Sequence, residues 1–207
     1  MTAEAIAATL QHDILSGTLS PGTELVQSEL AARFQVSRIP IRDALMLLSV
    51  EGVVTVTPNR GARVIQLSPS EVQEIFDMRV LLEGDCLRRA IPYMQQADFE
   101  RIEHVLRRSN LEVQTEGWAE GDWNFHLALY SPSGRKHQIV MIEKLRRRCQ
   151  LHIAAYRTLP EETLQWIRDH ELIMKHCRNK ETEAAVDALK RHLSEAGKTL
   201  VRAMPTS

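Results

Sequence analysis

Two side chains that can bind a metal, Asp122 and His126, stand four residues apart in the segment Asp-Trp-Asn-Phe-His. At this spacing a helix presents both on one face. Phe125 and Leu129 lie beside that face, so the helix is expected to turn it towards a protein core. A carboxylate and an imidazole inside a core are costly unless they pair or bind something. The spacing therefore marks the pair as a candidate binding site.

Two histidines nearer the C-terminus are also expected to face a protein core. His170 stands close to Ile173, and His192 close to Leu189, each on the apolar side of a segment with helical periodicity. An aspartate and three histidines that meet in a helical bundle would suit a divalent ion such as Zn²⁺, Ni²⁺ or Mn²⁺. On spacing alone, core histidines remain the alternative. The other five histidines are assigned to ordinary surface or core positions: His12, His104, His137, His152 and His176.

A second pair of chemically active side chains, Arg38 and Arg42, is also four residues apart. Ser37 is placed to cap a helix there, and Pro40 falls in its first turn. Both arginines would leave one face near the helix N-terminus, as a recognition helix in a DNA major groove requires. An amphipathic helix with solvated arginines is the alternative. The opposite face is apolar: Ile41, Ala44, Leu45 and Leu48.

The elements around Arg38 and Arg42 predict a winged helix-turn-helix. The second β-prone run follows a turn that carries Arg60 and Gly61, so the pair would lie at the tip of a hairpin. The predicted elements are helices over residues 3–16, 28–34 and 37–51, followed by strands over 53–56 and 62–65.

The rest of the chain shows no strand pattern. Ser68 and Glu71 form a capping-box pattern, and Pro69 suits the first helical position. The fold class is therefore mostly α, with a winged helix-turn-helix domain over 1–67 and an antiparallel helical bundle over 68–207. Six helices are predicted, at about 70–91, 96–116, 119–131, 135–157, 161–178 and 181–203.

Composition narrows the class of protein. The net charge is −1, and residues 1–66 carry five arginines, no lysine and six acidic residues, so any positive surface must come from local placement. The three cysteines have no CxxC spacing, which argues against a disulfide framework or a cysteine zinc cluster. With no long apolar run and no signal pattern, the sequence predicts a cytoplasmic protein with no membrane contact.

Residues 4–66 resemble the GntR superfamily of bacterial repressors in three segments, at 14–25, 36–45 and 59–64. The resemblance implies that Arg38 and Arg42 contact bases and phosphates, and that Arg60 and Gly61 enter the minor groove. Arg33 could reach a phosphate, with a solvated helix arginine as the alternative. The chain departs from the family at 26–28, where Val-Gln-Ser replaces a small capping residue, an acid and an arginine.

Residues 72–203 resemble the FCD effector domain of the FadR-type branch. The resemblance implies a metal centre formed by Asp122, His126, His170 and His192, beside which a small organic acid binds. Arg79 matches a cavity-facing arginine and is the candidate clamp for the acid, with a surface ion pair to Glu83 as the alternative. Of the consecutive arginines at 146–148, at most one or two can face inwards.

These features predict a ligand-responsive bacterial transcriptional regulator, a repressor that binds palindromic double-stranded operator DNA as a homodimer. The rival functions are a metal-dependent hydrolase fused to a DNA-binding module and a direct metal sensor. Asp122 is already assigned as a ligand and no HExxH motif is present, so a general base for hydrolysis is missing and an enzyme is not expected.

Overall fold

The computed structural model describes residues 1–57, 61–112, 117–150 and 160–204. Their contacts group the chain into two compact units that divide between Ser68 and Pro69, with the described residues 147–150 grouped with the first. We call the first the winged unit and the second the helical unit. No helix in the described ranges has the length and apolarity needed to cross a membrane.

The described residues of the winged unit form three helices and a three-stranded antiparallel sheet, as a winged helix-turn-helix requires. The elements are α1 (Ala3–Leu15), β1 (Glu24–Val26), α2 (Gln27–Phe34), α3 (Arg38–Val50), β2 (Val54–Thr57) and β3 (Gly61–Val64). The strands lie in the order β1-β3-β2. Strand β1 is not among the predicted elements, because three residues are too few to show alternation.

The predicted apolar faces form the core of this unit. Ile6, Leu10 and Ile14 of α1 are at most 1% exposed, and the four apolar residues predicted on the back of α3 are buried. Ser37 occupies the N-cap of α3, but its side chain makes no capping hydrogen bond there. Val26 is the N-cap of α2 and likewise makes no side-chain cap, as its apolar side chain dictates.

Gly61 has a structural role within the sheet. It pairs with Val26 across the β1–β3 ladder and has a φ of +127°. A Cβ at this position would lie 2.2 Å from the carbonyl oxygen of Leu25. Only glycine allows the two backbones to approach this closely.

The described residues of the helical unit form six α-helices, in agreement with the prediction. Pro69 is the first residue of the first of these helices, as its sequence context indicated. The ends predicted for two helices, at 116 and 157, lie outside the described residues. The helices are α4 (Pro69–Ala90), α5 (Gln96–Leu111), α6 (Trp118–Tyr130), α7 (Lys136–Gln150), α8 (Pro160–Arg178) and α9 (Thr182–Ala203).

The core of the helical unit lies between α4 and α9, between α5 and α6, and between α8 and α9. Gly197 brings α9 close to α4, because a Cβ there would lie 2.8 Å from Cγ of Phe76. Cys86, Cys149 and Cys177 are buried free thiols.

Candidate metal centre and nucleic-acid interface

Four predicted metal ligands from three helices meet in the helical unit. Helix α6 supplies Asp122 and His126, α8 supplies His170, and α9 supplies His192. The two Nε2 atoms of His170 and His192 are 3.2 Å apart. Oδ1 of Asp122 lies 3.5 Å from Nε2 of His170 and 3.7 Å from Nε2 of His126. We call the three histidines the imidazole cluster; their potential ligand atoms lie within 4.8 Å of one another.

The donor atoms fit a divalent transition metal. The imidazole cluster is buried, with His126 fully inaccessible, and the Asp122 side chain is 17% exposed. Nε2 of His126 is buried and has no hydrogen-bond partner among the described residues. A buried polar atom without a partner carries a desolvation penalty that a metal ion would remove. Imidazole nitrogens with one carboxylate oxygen form a donor set typical of zinc or nickel.

The protonation states also suit metal binding. Burial, together with the positive charge of Arg146, keeps the pKa of His126 well below its usual value. Burial and the neighbouring His192 lower the pKa of His170 to about 3. Burial alone would raise the pKa of Asp122, but Arg146 and His170 bring it below the usual value. Near neutral pH the site thus offers a carboxylate and neutral imidazoles at positions 126 and 170, the forms that coordinate metals.

Side chains outside the ligand set contact the far nitrogens of two imidazoles. Nδ1 of His126 lies 3.0 Å from the hydroxyl of Tyr130, and Nδ1 of His192 lies 3.4 Å from Oδ2 of Asp169. Such outer partners orient metal-binding histidines. Neither partner is among the residues predicted from the sequence, although Tyr130 follows His126 by four residues and therefore lies on the same face of α6.

Arg79 is the predicted clamp for an organic acid, and an ion pair with Glu83 on the surface was the alternative. In the structure Arg79 forms that ion pair with Glu83, but the pair is buried. Its Nε donates to Oε1 of Glu83 at 2.7 Å, and the two side chains are 7% and 0% exposed. The guanidinium carbon lies 4.5 Å from the ring centre of Phe76. An interior ion pair needs fixed geometry and further hydrogen bonds, so Arg79 belongs to a buried polar network.

Arg146 is the inward-facing member of the arginine run, a role that the sequence did not assign to it individually. One of its terminal nitrogens donates to Oδ2 of Asp122, and the other donates to Oε2 of Glu83 at 3.3 Å. Its guanidinium carbon also lies 5.4 Å from the ring centre of Trp123. The predicted metal ligand Asp122 and the Arg79 partner Glu83 therefore share one arginine.

The predicted DNA-binding residues differ in their surroundings. Arg38 and Arg42 are exposed on α3, and the Arg42 side chain is 65% exposed beside Asp43. Arg33 donates to Oδ2 of Asp13 at 2.5 Å, which gives it a partner within the protein. Arg60 lies outside the described residues, and Gly61 occupies the close β1–β3 contact.

A winged helix-turn-helix followed by an all-helical unit with an inward-facing histidine cluster defines a DNA-binding regulator. Comparison with known families supports this: residues 2–64 match the gntR family of bacterial regulatory proteins, and residues 74–195 match the FCD domain. The chain belongs to the GntR family and carries an FCD domain. It is a transcriptional regulator and not an enzyme.

Individual relatives span nearly the whole chain. The chain is 26% identical to the HTH-type transcriptional repressor RspR of Escherichia coli over 196 residues, which cover 92% of this chain and 85% of the relative. It is 26% identical to the gluconate operon transcriptional repressor of Bacillus licheniformis, with 94% and 83% covered. The fold is similar to that of E. coli McbR/YncC, with a TM-score of 0.81, 22% identity and 97% of each chain covered.

Proposed function

We propose that this regulator is a repressor that binds a palindromic operator as a homodimer through a DNA-binding domain over 1–67. We further propose that an effector domain over 68–207 senses a small organic acid at a metal centre. The two relatives above are named as repressors, and one is named for the operon of gluconate, an organic acid. These names support both the direction of regulation and the class of effector.

One observation supports the metal centre: the imidazole cluster and Oδ1 of Asp122 lie together beside Nε2 of His126, an atom with no hydrogen-bond partner in the described part of the chain. These four side chains would hold the ion. When bound, it would supply a positive centre that accepts a carboxylate oxygen. Zn²⁺ and Ni²⁺ suit this donor set best, and Mn²⁺ is the third candidate.

Arg79 and Arg146 are the proposed partners of the organic acid. Guanidinium groups bind carboxylates through paired, charge-assisted hydrogen bonds. Both arginines now contact Glu83, and Arg146 also contacts Asp122, so an incoming carboxylate would replace one of these contacts. The exchange would change side-chain contacts among α4, α6 and α7, which carry these residues.

Exposed apolar residues support a dimer contact through the helical unit. Met78 and Leu81 on α4 are 36% and 69% exposed, and Val140 and Met141 on α7 are each 50% exposed. The two helices are neighbours, since Nε2 of Gln138 donates to the carbonyl of Leu82 at 2.8 Å. Two recognition helices would then read the two halves of a palindrome.

Effector and DNA are proposed to act through linkage. If the acid binds more tightly to the arrangement that is off the DNA, it must weaken operator affinity by the same factor. Operator binding, measured with metal-loaded protein against a panel of small carboxylic acids, tests this. Equal affinity with and without every acid would refute the coupling, and release by metal alone would make the protein a direct metal sensor.

The metal centre itself is tested by elemental analysis of the purified protein. We expect about one equivalent of a transition metal in the parent and its loss in His126→Ala. His104→Ala is the matched control, because His104 is exposed on α5. A parent that takes up no metal, even after incubation with Zn²⁺ and Ni²⁺, would refute the proposal.

A further inference from the structure

Glu83 is a fully buried carboxylate at the centre of a polar network. Its Oε1 accepts from Nε of Arg79, and its Oε2 accepts from the Tyr130 hydroxyl at 2.6 Å and from Arg146. Burial alone would raise the pKa of Glu83, but the charges of the two arginines and the tyrosine hydrogen bond bring it below the usual value. A guanidinium group can only donate, and each oxygen of Glu83 faces one, so both oxygens act as hydrogen-bond acceptors.

Because Glu83 accepts, the Tyr130 hydroxyl must be the donor in their hydrogen bond, and this fixes the donor in the hydrogen bond between Tyr130 and His126. The Tyr130 hydroxyl has one proton, and it donates that proton to Glu83. Its oxygen can then only accept from Nδ1 of His126, which lies 3.0 Å away. In a neutral imidazole the proton on Nδ1 leaves a lone pair on Nε2. Nε2 of His126 is the buried atom that has no partner among the described residues.

We propose that Glu83 and Tyr130 are positioning residues that fix His126 in the tautomer with its Nε2 lone pair directed at the metal centre. This inference rests on the proposed function, because it concerns the ion that the imidazole cluster would bind. Without the tyrosine hydroxyl, His126 could place its proton on either nitrogen, and its ring could rotate. A metal would then meet a ligand that must first change its tautomer.

The hydrogen bond between Tyr130 and His126 is part of a longer chain of hydrogen bonds that begins at Glu83. Glu83 comes from α4, whereas Tyr130 and His126 come from α6, so the chain of hydrogen bonds links two helices. Arg79 and Arg146 hold the carboxylate from two sides, which fixes the position of its oxygens. Outer partners of metal ligands typically change metal affinity by about 10- to 100-fold when they are removed.

Tyr130→Phe tests the inference, because it removes the hydroxyl and keeps the aromatic ring. Two properties are measured: the dissociation constant for Zn²⁺, by competition with a chromophoric chelator, and the ring ¹⁵N shifts of His126 in metal-free protein. We expect about 10- to 100-fold weaker zinc binding. We also expect the Nδ1–H signature of the parent to give way to a mixture of tautomers. Tyr93→Phe is the control, because Tyr93 is 67% exposed.

The NMR signature separates positioning from general stability, because a variant that is only less stable keeps the parent tautomer in its folded fraction. If the parent binds zinc and Tyr130→Phe shows the same affinity and the same His126 signature, the inference is wrong and the metal centre stands. A parent that binds neither Zn²⁺ nor Ni²⁺ overturns the proposed function, and the inference with it. Weaker binding together with a changed tautomer supports both.

Discussion

Replacing Gly61 with alanine tests whether this glycine serves the protein fold or the approach to DNA. A Cβ would lie 2.2 Å from the backbone oxygen of Leu25, on the neighbouring strand of the sheet. A non-glycine residue in such a region of φ costs about 1–3 kcal/mol. Relief of the overlap by movement of the backbone costs about 1–3 kcal/mol more. We therefore expect Gly61→Ala to destabilise the winged unit by about 2–6 kcal/mol in total.

Gly22→Ala is the matched control in the same unit. Gly22 also has a positive φ, +82°, but the atom nearest to its added Cβ is the end of the flexible Gln66 side chain. Its cost should be about 1–2 kcal/mol, from the backbone conformation alone. The difference from Gly61→Ala is thus about 1 kcal/mol or more, which corresponds to at least about 5-fold in an opening equilibrium.

Amide hydrogen exchange of α3 is the appropriate assay, because exchange rates follow local and global opening. All three tryptophans, Trp118, Trp123 and Trp166, lie outside the winged unit. Their fluorescence therefore shows independently whether the helical unit is unchanged. If Gly61→Ala exchanges no faster than Gly22→Ala and loses only operator affinity, then the structural role assigned to Gly61 is wrong.

Three further outcomes are expected. Arg38→Ala should weaken operator binding by about 1–3 kcal/mol, measured by fluorescence anisotropy, if this arginine contacts a base. Leu81→Arg should convert the proposed dimer to monomer in sedimentation equilibrium, whereas Leu111→Arg, also at an exposed apolar position, should not. Because the folded-state pKa values of His126 and His170 lie below the 6.5 of a free imidazole, the metal-free helical unit should lose stability as pH falls from about 6.5 towards 3. The slope should reach about 1.4 kcal/mol per pH unit for each histidine, measured by urea unfolding.

Each of these expectations has a contrary result. An unchanged operator affinity in Arg38→Ala would remove this arginine from the DNA interface. Dissociation of both leucine variants, or of neither, would place the dimer contact away from the exposed apolar residues of α4. A metal-free stability that does not change between pH 6.5 and 5 would mean that the two imidazoles are not neutral and buried in the folded protein.

The sequence predicted the features that depend on local periodicity. Asp122 and His126 share a face because a helix brings residues four apart together, and the apolar neighbours of His170 and His192 indicated that these histidines turn inwards. The three helices of the winged unit and its hairpin followed from the same kind of pattern. Spacing along one element was sufficient for each of these predictions.

Other features depend on which elements pack together, and spacing does not show that. Three consecutive arginines spread around a helix, so only the position of α7 beside α4 and α6 selects Arg146. The spacing of Arg79 and Glu83 predicted their ion pair but not its burial, because an i,i+4 pair has the same spacing on a surface and in a core. The three-residue strand β1 becomes recognisable only through its pairing with β3.

The charges of the buried network connect the metal and acid parts of the proposed function. Among the described side chains, two carboxylates, Glu83 and Asp122, face two guanidinium groups, Arg79 and Arg146, so these four charges balance. An organic carboxylate added to this balanced set would leave a net negative charge in a buried site, which is unfavourable. A divalent cation would first make the site positive and would then favour the acid. By linkage, the acid must strengthen metal binding by the same factor as the metal strengthens acid binding.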